Sequence, residues 1–157
     1  MELFKCIIEV TSHAVKKNGK QIFINKSTGK RFITSSNKAK SLENVLTALL
    51  LREKLRAGIH TIKCDINADI NFIYPKKVFY NQRGYRSNRV ADLSNLYETV
   101  QDAMQKSGII SNDSIICSHN GSGRYPTDDN KYYIMIVLTH LPTQRLSKAD
   151  LLKLKES

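Results

Sequence analysis

Ser94, Glu98 and Asp102 follow one another at steps of four residues in the stretch RVADLSNLYETVQDAM, residues 89–104. Residues four apart on an α-helix stack along one edge, so this spacing lines an edge with oxygen-bearing side chains and sets Asp92 at the helix mouth. Asp113 follows beyond the glycine at 108. Carboxylates gathered at one place repel one another and are tolerated there mainly when a hard cation sits between them. Magnesium takes a few carboxylates together with water and phosphate oxygens, activates a water and steadies the charge of a phosphoryl transition state. The chemistry on offer is therefore hydrolysis of a phosphodiester. The same residues also have ordinary uses, Asp92 as an N-cap, Glu98 and Asp102 as a polar helix face and Asp113 in a turn. Spacing by itself favours these ordinary uses.

A polyanionic substrate would suit the rest of the chain. Its 25 Lys and Arg against 14 Asp and Glu leave a formal charge of +11, a surplus whose field favours nucleic acid, anionic membrane or an acidic partner. The charge is also segregated. From Ile70 to Ala91 there is no acid, while Lys76, Lys77, Arg83, Arg86 and Arg89 are interleaved with Tyr74, Phe79, Tyr80 and Tyr85. A second acid-free segment, Thr11 to Leu42, carries eight basic residues. Basic side chains neutralise phosphates and aromatic rings stack on exposed bases. A surface kept basic for solubility would mix both signs, so segregation favours nucleic acid.

The elements that must position these groups can be read from periodicity. Leu93, Leu96, Val100 and Met104 recur at steps of three and four, which makes them the buried stripe of a helix ending near Lys106-Ser107-Gly108. The chain opens with a strand, LFKCIIEV, and the segment KKNGKQIFINKSTGKRFIT reads as a hairpin or small meander turning at Asn18-Gly19 and Thr28-Gly29. Ser35 or Ser36 is placed to cap a helix over 37–56, with Leu42, Val45, Leu46, Leu49 and Leu50 at helical spacing and Gly58 closing it. That helix should lie on a sheet. TIKCDINADINFIY (61–74) alternates as a long strand whose Asp65, Asn67 and Asp69 form one face, read as solvated. PKKVFYNQRGYRSNRVA has the composition of a loop. Asn112 and Asp113 precede a further strand, and KYYIMIVLTHL forms the last, ending at Pro142.

Length and composition bound the answer. At 157 residues and 41% hydrophobic content one core and a single domain over 1–157 are expected. The first residues lack a basic region and a small-residue cleavage site, which argues against a secretory signal. No stretch approaches the roughly 18 to 20 apolar residues of a membrane span, so an intracellular protein is the expectation. Cys6, Cys64 and Cys117 are odd in number and widely separated, unlike a disulfide framework or zinc ribbon, and are expected to pack as small hydrophobes. Gly121-Ser122-Gly123 lacks the context of a phosphate loop or nucleophile elbow and reads as a turn between strands. His13, His60, His119 and His140 are scattered, and Cys117-x-His119 is the one close pair; such a pair is more often structural than metallic. Ser147 to Asp150 has the pattern of a capping box for a short C-terminal helix carrying Leu151, Leu152 and Leu154.

The segment ADLSNLYETVQDAMQKSGIISNDSII resembles the signature of the RusA family of Holliday junction resolvases. In that family a D-x-D-N-L run opens a helix, an Asp follows on it, and a glycine and acidic turn lead into the next strand. The order of strand, basic loop, helix and acidic turn matches over 59–140, and more loosely the strand and long helix before it. The resemblance implies an α+β fold, a mixed sheet with two main helices on one side, and a homodimeric endonuclease dependent on Mg2+ (Mn2+ also possible). Such enzymes nick branched DNA symmetrically, four-way junctions above all, and are commonly carried by phages and prophages of bacteria. By the same resemblance Asp92 matches the first metal-binding Asp, Asn95 and Leu96 the N-L pair, Asp102 the helix Asp and Asp113 the acid after the turn. Two positions depart: Ser94 stands for the second Asp, and Glu98 for a Lys. Ser94 and Glu98 are one turn apart, so the longer Glu98 side chain can reach where the absent Asp would act while Ser94 offers a weak oxygen ligand. The expected ligands are Asp92 and Asp113 with Asp102, Glu98 and Ser94, and Lys76, Lys77, Arg83, Arg86 and Arg89 would hold the DNA backbone. Two rivals remain: a nucleic-acid-binding protein without nuclease activity, and an RNA-associated basic protein whose acidic helix edge meets a partner.

Overall fold

The structure, a computed structural model, describes residues 1–11, 21–34, 37–87, 93–142 and 147. The Asn18-Gly19 turn, the Ser35 or Ser36 cap, Arg89, Asp92 and the C-terminal helix expected after Ser147 all lie outside the described residues. In chain order the elements are β1 (Glu2–Val10), β2 (Gln21–Ile24), β3 (Arg31–Thr34), α1 (Asn37–Ala57), β4 (Ile66–Pro75), α2 (Lys76–Phe79) and α3 (Leu93–Lys106). A single 3-10 turn (Asp113–Ile115) then leads to β5 (Ile116–Ser118), β6 (Gly123–Thr127) and β7 (Tyr132–His140). No helix among the described residues is long and apolar enough to cross a membrane.

The main sheet runs β1-β7-β4-β5, with β6 also paired to β4. β7 lies antiparallel between β1 and β4, while β5 and β6 run parallel to β4. It is a mixed sheet, and with its helices it makes the α+β domain that the sequence implied. β2 and β3 form a separate antiparallel hairpin, whose turn is organised by Asn25: its Oδ1 accepts from the Ser27 N–H at 3.0 Å and its backbone oxygen from Gly29 at 2.7 Å.

One face of the sheet carries the apolar core. Phe4, Cys6, Ile8 and Val10 of β1, Ile134, Ile136 and Leu138 of β7 and Ile66, Ala68, Ile70, Phe72 and Tyr74 of β4 are all buried, as alternation in a strand requires. Leu46 and Leu50 of α1 and Leu96, Val100, Ala103 and Met104 of α3 complete this core. The stripe expected for α3 is buried at Leu96, Val100 and Met104 and only partly so at Leu93. For α1 it is narrower than the spacing suggested, because Val45 is 50% exposed. Truncating a fully buried Leu of this kind costs about 2–5 kcal/mol.

The long strand is shorter and more deeply set than its alternation implies. Thr61 to Asp65 precede β4, and Ile62 instead bridges Ile110 beyond α3. The face of β4 that reads as solvated is covered: Asn67 and Asn71 are 9% and 5% exposed, and Asp69 is half-buried. The cover is the chain between β5 and β6. The cysteines also divide. Cys6 packs in the core, but Cys64 and Cys117 are exposed, contrary to their expected role as small core hydrophobes.

Candidate active site and nucleic-acid interface

α3 presents two polar ridges beside its buried stripe. One is the acidic edge: Ser94 and Glu98 are exposed and Asp102 is half-buried, so the edge expected from the four-residue spacing exists. The neighbouring ridge, Tyr97, Gln101 and Gln105, faces the strand that follows. Gln105 Oε1 accepts from the Asp113 backbone N–H at 3.3 Å, and Gln101 Nε2 lies 2.9 Å from His119 Nε2. Tyr97 stacks on the His119 imidazole, with centroids 4.9 Å apart and planes within 5°. The chain after α3 thus returns antiparallel along the helix, with Asp113 against its last turn and His119 near its middle.

This return sets where acids can meet. The helix rises about 1.5 Å per residue, so Leu93 and Gln105 are separated by about 18 Å along the axis. Glu98 and Asp102, one turn apart, can share an ion; groups two or more turns apart on a straight helix cannot. Asp113 is exposed, on a 3-10 turn that Asn112 caps by accepting from the Ser114 N–H at 2.8 Å. Asp92 lies outside the described residues. Among the described residues no three His, Cys, Asp or Glu side chains gather closely enough to hold a metal ion. The donors on offer are hard carboxylate oxygens, which suit Mg2+ or Mn2+ in kind, and Asp92 is the group that would have to complete a set at the start of α3.

His119, which the sequence left without a role, has a structural one. β5 and β6 are one interrupted strand along the same edge of β4: Asn67 pairs with Ser118 and Asn71 with Gly123. At the interruption the β4 backbone is satisfied by side chains. His119 Nδ1 is 2.9 Å from the Ala68 carbonyl, Ser122 Oγ donates to the same oxygen at 3.1 Å and accepts from the Ile70 N–H at 2.9 Å. Since a carbonyl can only accept, Nδ1 carries the proton and Nε2 accepts from the Gln101 amide. Bulged, side-chain-stitched edges of this kind recur beside active sites because they re-aim the chain. Gly-Ser-Gly is the sequence trace of it.

On the opposite sheet face the same interruption seals the amide and acid rank. Asn67 Nδ2 donates to Asp69 Oδ1 at 2.8 Å, and Asn67 Oδ1 accepts from the Asn120 N–H at 2.9 Å. Gly121 sits directly over the Asp69 carboxylate: a Cβ there would lie 3.1 Å from Oδ2. Near the start of this strand, partial desolvation foremost and then the neighbouring Asp65 carboxylate push the thiol of the exposed Cys117 up from its ordinary value.

The basic segment expected to be a loop is more ordered than its composition suggests. Lys76 and Lys77 lie on the four-residue α2, and the chain then folds into a tight hairpin in which Tyr80 bridges Arg86 and the Ser87 N–H donates to the Phe79 carbonyl at 2.9 Å. Asn81 is its hub. Its Oδ1 accepts from the N–H groups of Arg83 at 2.9 Å and Tyr85 at 3.0 Å, and Gly84 supplies the left-handed residue of the turn at φ +77°. The Arg86 guanidinium lies 5.5 Å from the centre of the Phe79 ring. Lys76 is 3.6 Å from the exposed Asp128, whereas neither Lys77 nor Arg83 pairs with a described carboxylate. The structure thus brings four of the five expected phosphate-binding residues to one hairpin and helix turn; Arg89 lies outside the described residues.

The family profile described as endodeoxyribonuclease RusA matches residues 13–137 of this chain, most of its length. The chain belongs to the RusA family. No curated protein matches it closely enough to count as a relative. The match spans both the basic hairpin and the acidic edge of α3, so within this RusA chain the two candidate surfaces belong to one matched region. The family is one of endodeoxyribonucleases, acting on the phosphodiester backbone.

Proposed function

We propose that this RusA-family chain is a structure-specific endodeoxyribonuclease that nicks Holliday junctions or similar branched DNA symmetrically, as a homodimer, with Mg2+ or Mn2+. The observation that carries the reading is the family match across 13–137, coupled to an acidic helix edge that follows a basic hairpin in the chain. The proposed metal-holding residues are Asp92, Ser94 and Glu98 toward the start of α3 and Asp102 and Asp113 toward its end; the length of the helix keeps one ion from taking all five. A bound divalent ion would supply an activated water and neutralise charge on the reacting phosphate. The chain's own part is to orient the oxygens of Ser94, Glu98 and Asp102 on a helix anchored by Leu96, Val100 and Met104, and to fix the DNA backbone through Lys76, Lys77, Arg83, Arg86 and Arg89.

The test is a synthetic four-way junction incubated with the protein in Mg2+ and in EDTA. Paired nicks at symmetric positions in Mg2+ alone are expected. A shifted but uncut junction under both conditions would replace the resolvase with a second reading, a branched-DNA binder without nuclease activity. That reading is favoured by Ser94 and Glu98, where the family motif has an Asp and a Lys. Preference for RNA over junctions would overturn both.

A further inference from the structure

The pocket beside the basic hairpin is walled by an aromatic ring that the core holds in place. Tyr132, Tyr74, Phe79 and Tyr80 follow one another in tilted and edge-on contacts, with centroid separations of 6.0, 6.0 and 5.0 Å. Tyr74 and Phe79 are 2% and 4% exposed, and Tyr80 emerges at 36%. A ring supported from beneath in this way is oriented before any ligand arrives, and little side-chain freedom is lost in using it. Around it lies an open pocket of about 560 Å³ lined by Lys77, Tyr80, Asn81, Gln82, Arg83 and Ser87. That volume falls in the range that takes one small-molecule-sized group and is far too small for a duplex. Its walls offer one aromatic ring, two cations without a described carboxylate partner, and amides. Paired bases in a duplex keep their faces stacked on one another, so a duplex could use only the cations. An extruded or unpaired nucleotide could use all three.

We infer that this pocket seats a single unpaired nucleotide, its base against the Tyr80 ring and its phosphate between Lys77 and Arg83. The inference rests on the nucleic-acid reading of the proposed function and narrows it to the unpaired bases that a branch or a single strand exposes. It also separates the basic residues by task. Lys77 and Arg83 line the pocket, whereas the Arg86 guanidinium lies over the Phe79 ring, outside that lining, and is left to the DNA backbone.

The full chain, in EDTA so that no strand is cut, is titrated against a four-way junction, a single strand and a perfect duplex, each carrying 2-aminopurine, at the branch in the junction. Binding should change 2-aminopurine fluorescence in the junction and the single strand and leave the duplex signal flat. Tyr80→Leu, which keeps an apolar contact with Phe79, should lose that change and bind the single strand about tenfold more weakly, and Tyr80→Phe should restore both. Lys77→Gln with Arg83→Gln, both at exposed positions, should weaken single-strand binding while leaving the fluorescence change at saturation intact. A Tyr80→Leu protein with undiminished change and affinity, or a double variant with undiminished affinity, overturns the pocket even if junctions are nicked. Tyr80-dependent signals on the single strand without any preference for junctions keep the pocket and remove the branched-DNA reading. Failure to bind any of the three removes both.

Discussion

At the scale of single residues, the sharpest question concerns Ser94 and Glu98, which stand one turn apart where the family motif has an Asp and a Lys. A serine hydroxyl is a weak ligand for a hard cation and a carboxylate a strong one, so Glu98 is the group able to restore the missing anion. Glu98→Gln keeps the length and shape of the side chain and removes only its charge. Nicking of a four-way junction in Mg2+ should fall at least about a hundredfold if removing this ligand resembles losing other groups that steady a transition-state charge, with junction affinity in EDTA unchanged. Full nicking in this variant would exclude the compensation. Asp113 belongs to a second neighbourhood, because its N–H is held by Gln105 at the last turn of α3. Comparing Asp113→Asn with Glu98→Gln therefore reports whether an ion requires the acidic edge of α3 or the turn that follows it.

At the scale of elements, the interruption between β5 and β6 decides how the acidic face of β4 is buried. Gly121 has φ +88°, a left-handed backbone that disfavours side chains, and a Cβ there would meet the Asp69 carboxylate at 3.1 Å. Gly121→Ala should destabilise the fold by about 1–3 kcal/mol, the cost of a strained backbone position, read as a lower urea midpoint with an unchanged m-value. α3 was legible in the sequence because a 3.6-residue period fixes both its buried stripe and its acidic edge. The cover over Asn67 and Asp69 was not: alternation says which side chains share a face, but these two are met by Asn120 and Gly121, some fifty positions away. β6 escaped because GRYPT carries a proline and a glycine, which edge strands tolerate and which otherwise signal turns. The hairpin at 79–87 read as a loop, and its one local signal is Asn81, whose side chain replaces backbone partners in the turn. Of the candidate site, the acidic edge was readable from spacing, while the position of Asp113 along α3 depends on the Gln105 contact, which no spacing encodes.

At the scale of the whole molecule, charge and burial make separate predictions. If Lys76, Lys77, Arg83, Arg86 and Arg89 each neutralise a phosphate, log Kobs for DNA should fall with log salt at a slope of about −4 to −5 per protomer, and Arg83→Gln should lessen that slope by about 1. The core predicts a different dependence, on alkaline pH. Burial pushes the Cys6 thiol from an ordinary value of 9.0 up to about 12, and the Tyr74 phenol from 10.0 up to about 12. The folded protein holds both protons more tightly than the unfolded chain does, so the stability they contribute is complete below pH 9 and declines as the unfolded chain begins to ionise. Between pH 9 and 10 the thiol acts nearly alone; from 10 to 12 both groups act. Lysines lose charge over the upper part of this range, which relieves self-repulsion in a chain of net +11 and acts in the opposite sense, so the comparison is made between variants. Urea midpoints of the wild type and Cys6→Ala, each referred to its own value at pH 8, should diverge from pH 9 upward with the wild type falling faster. Tyr74→Phe should diverge in the same sense only above pH 10. Parallel curves for Cys6→Ala and the wild type up to pH 11 would mean that Cys6 ionises as readily in the folded protein as in the unfolded chain, and that β1 does not pack its thiol into the core beneath α1.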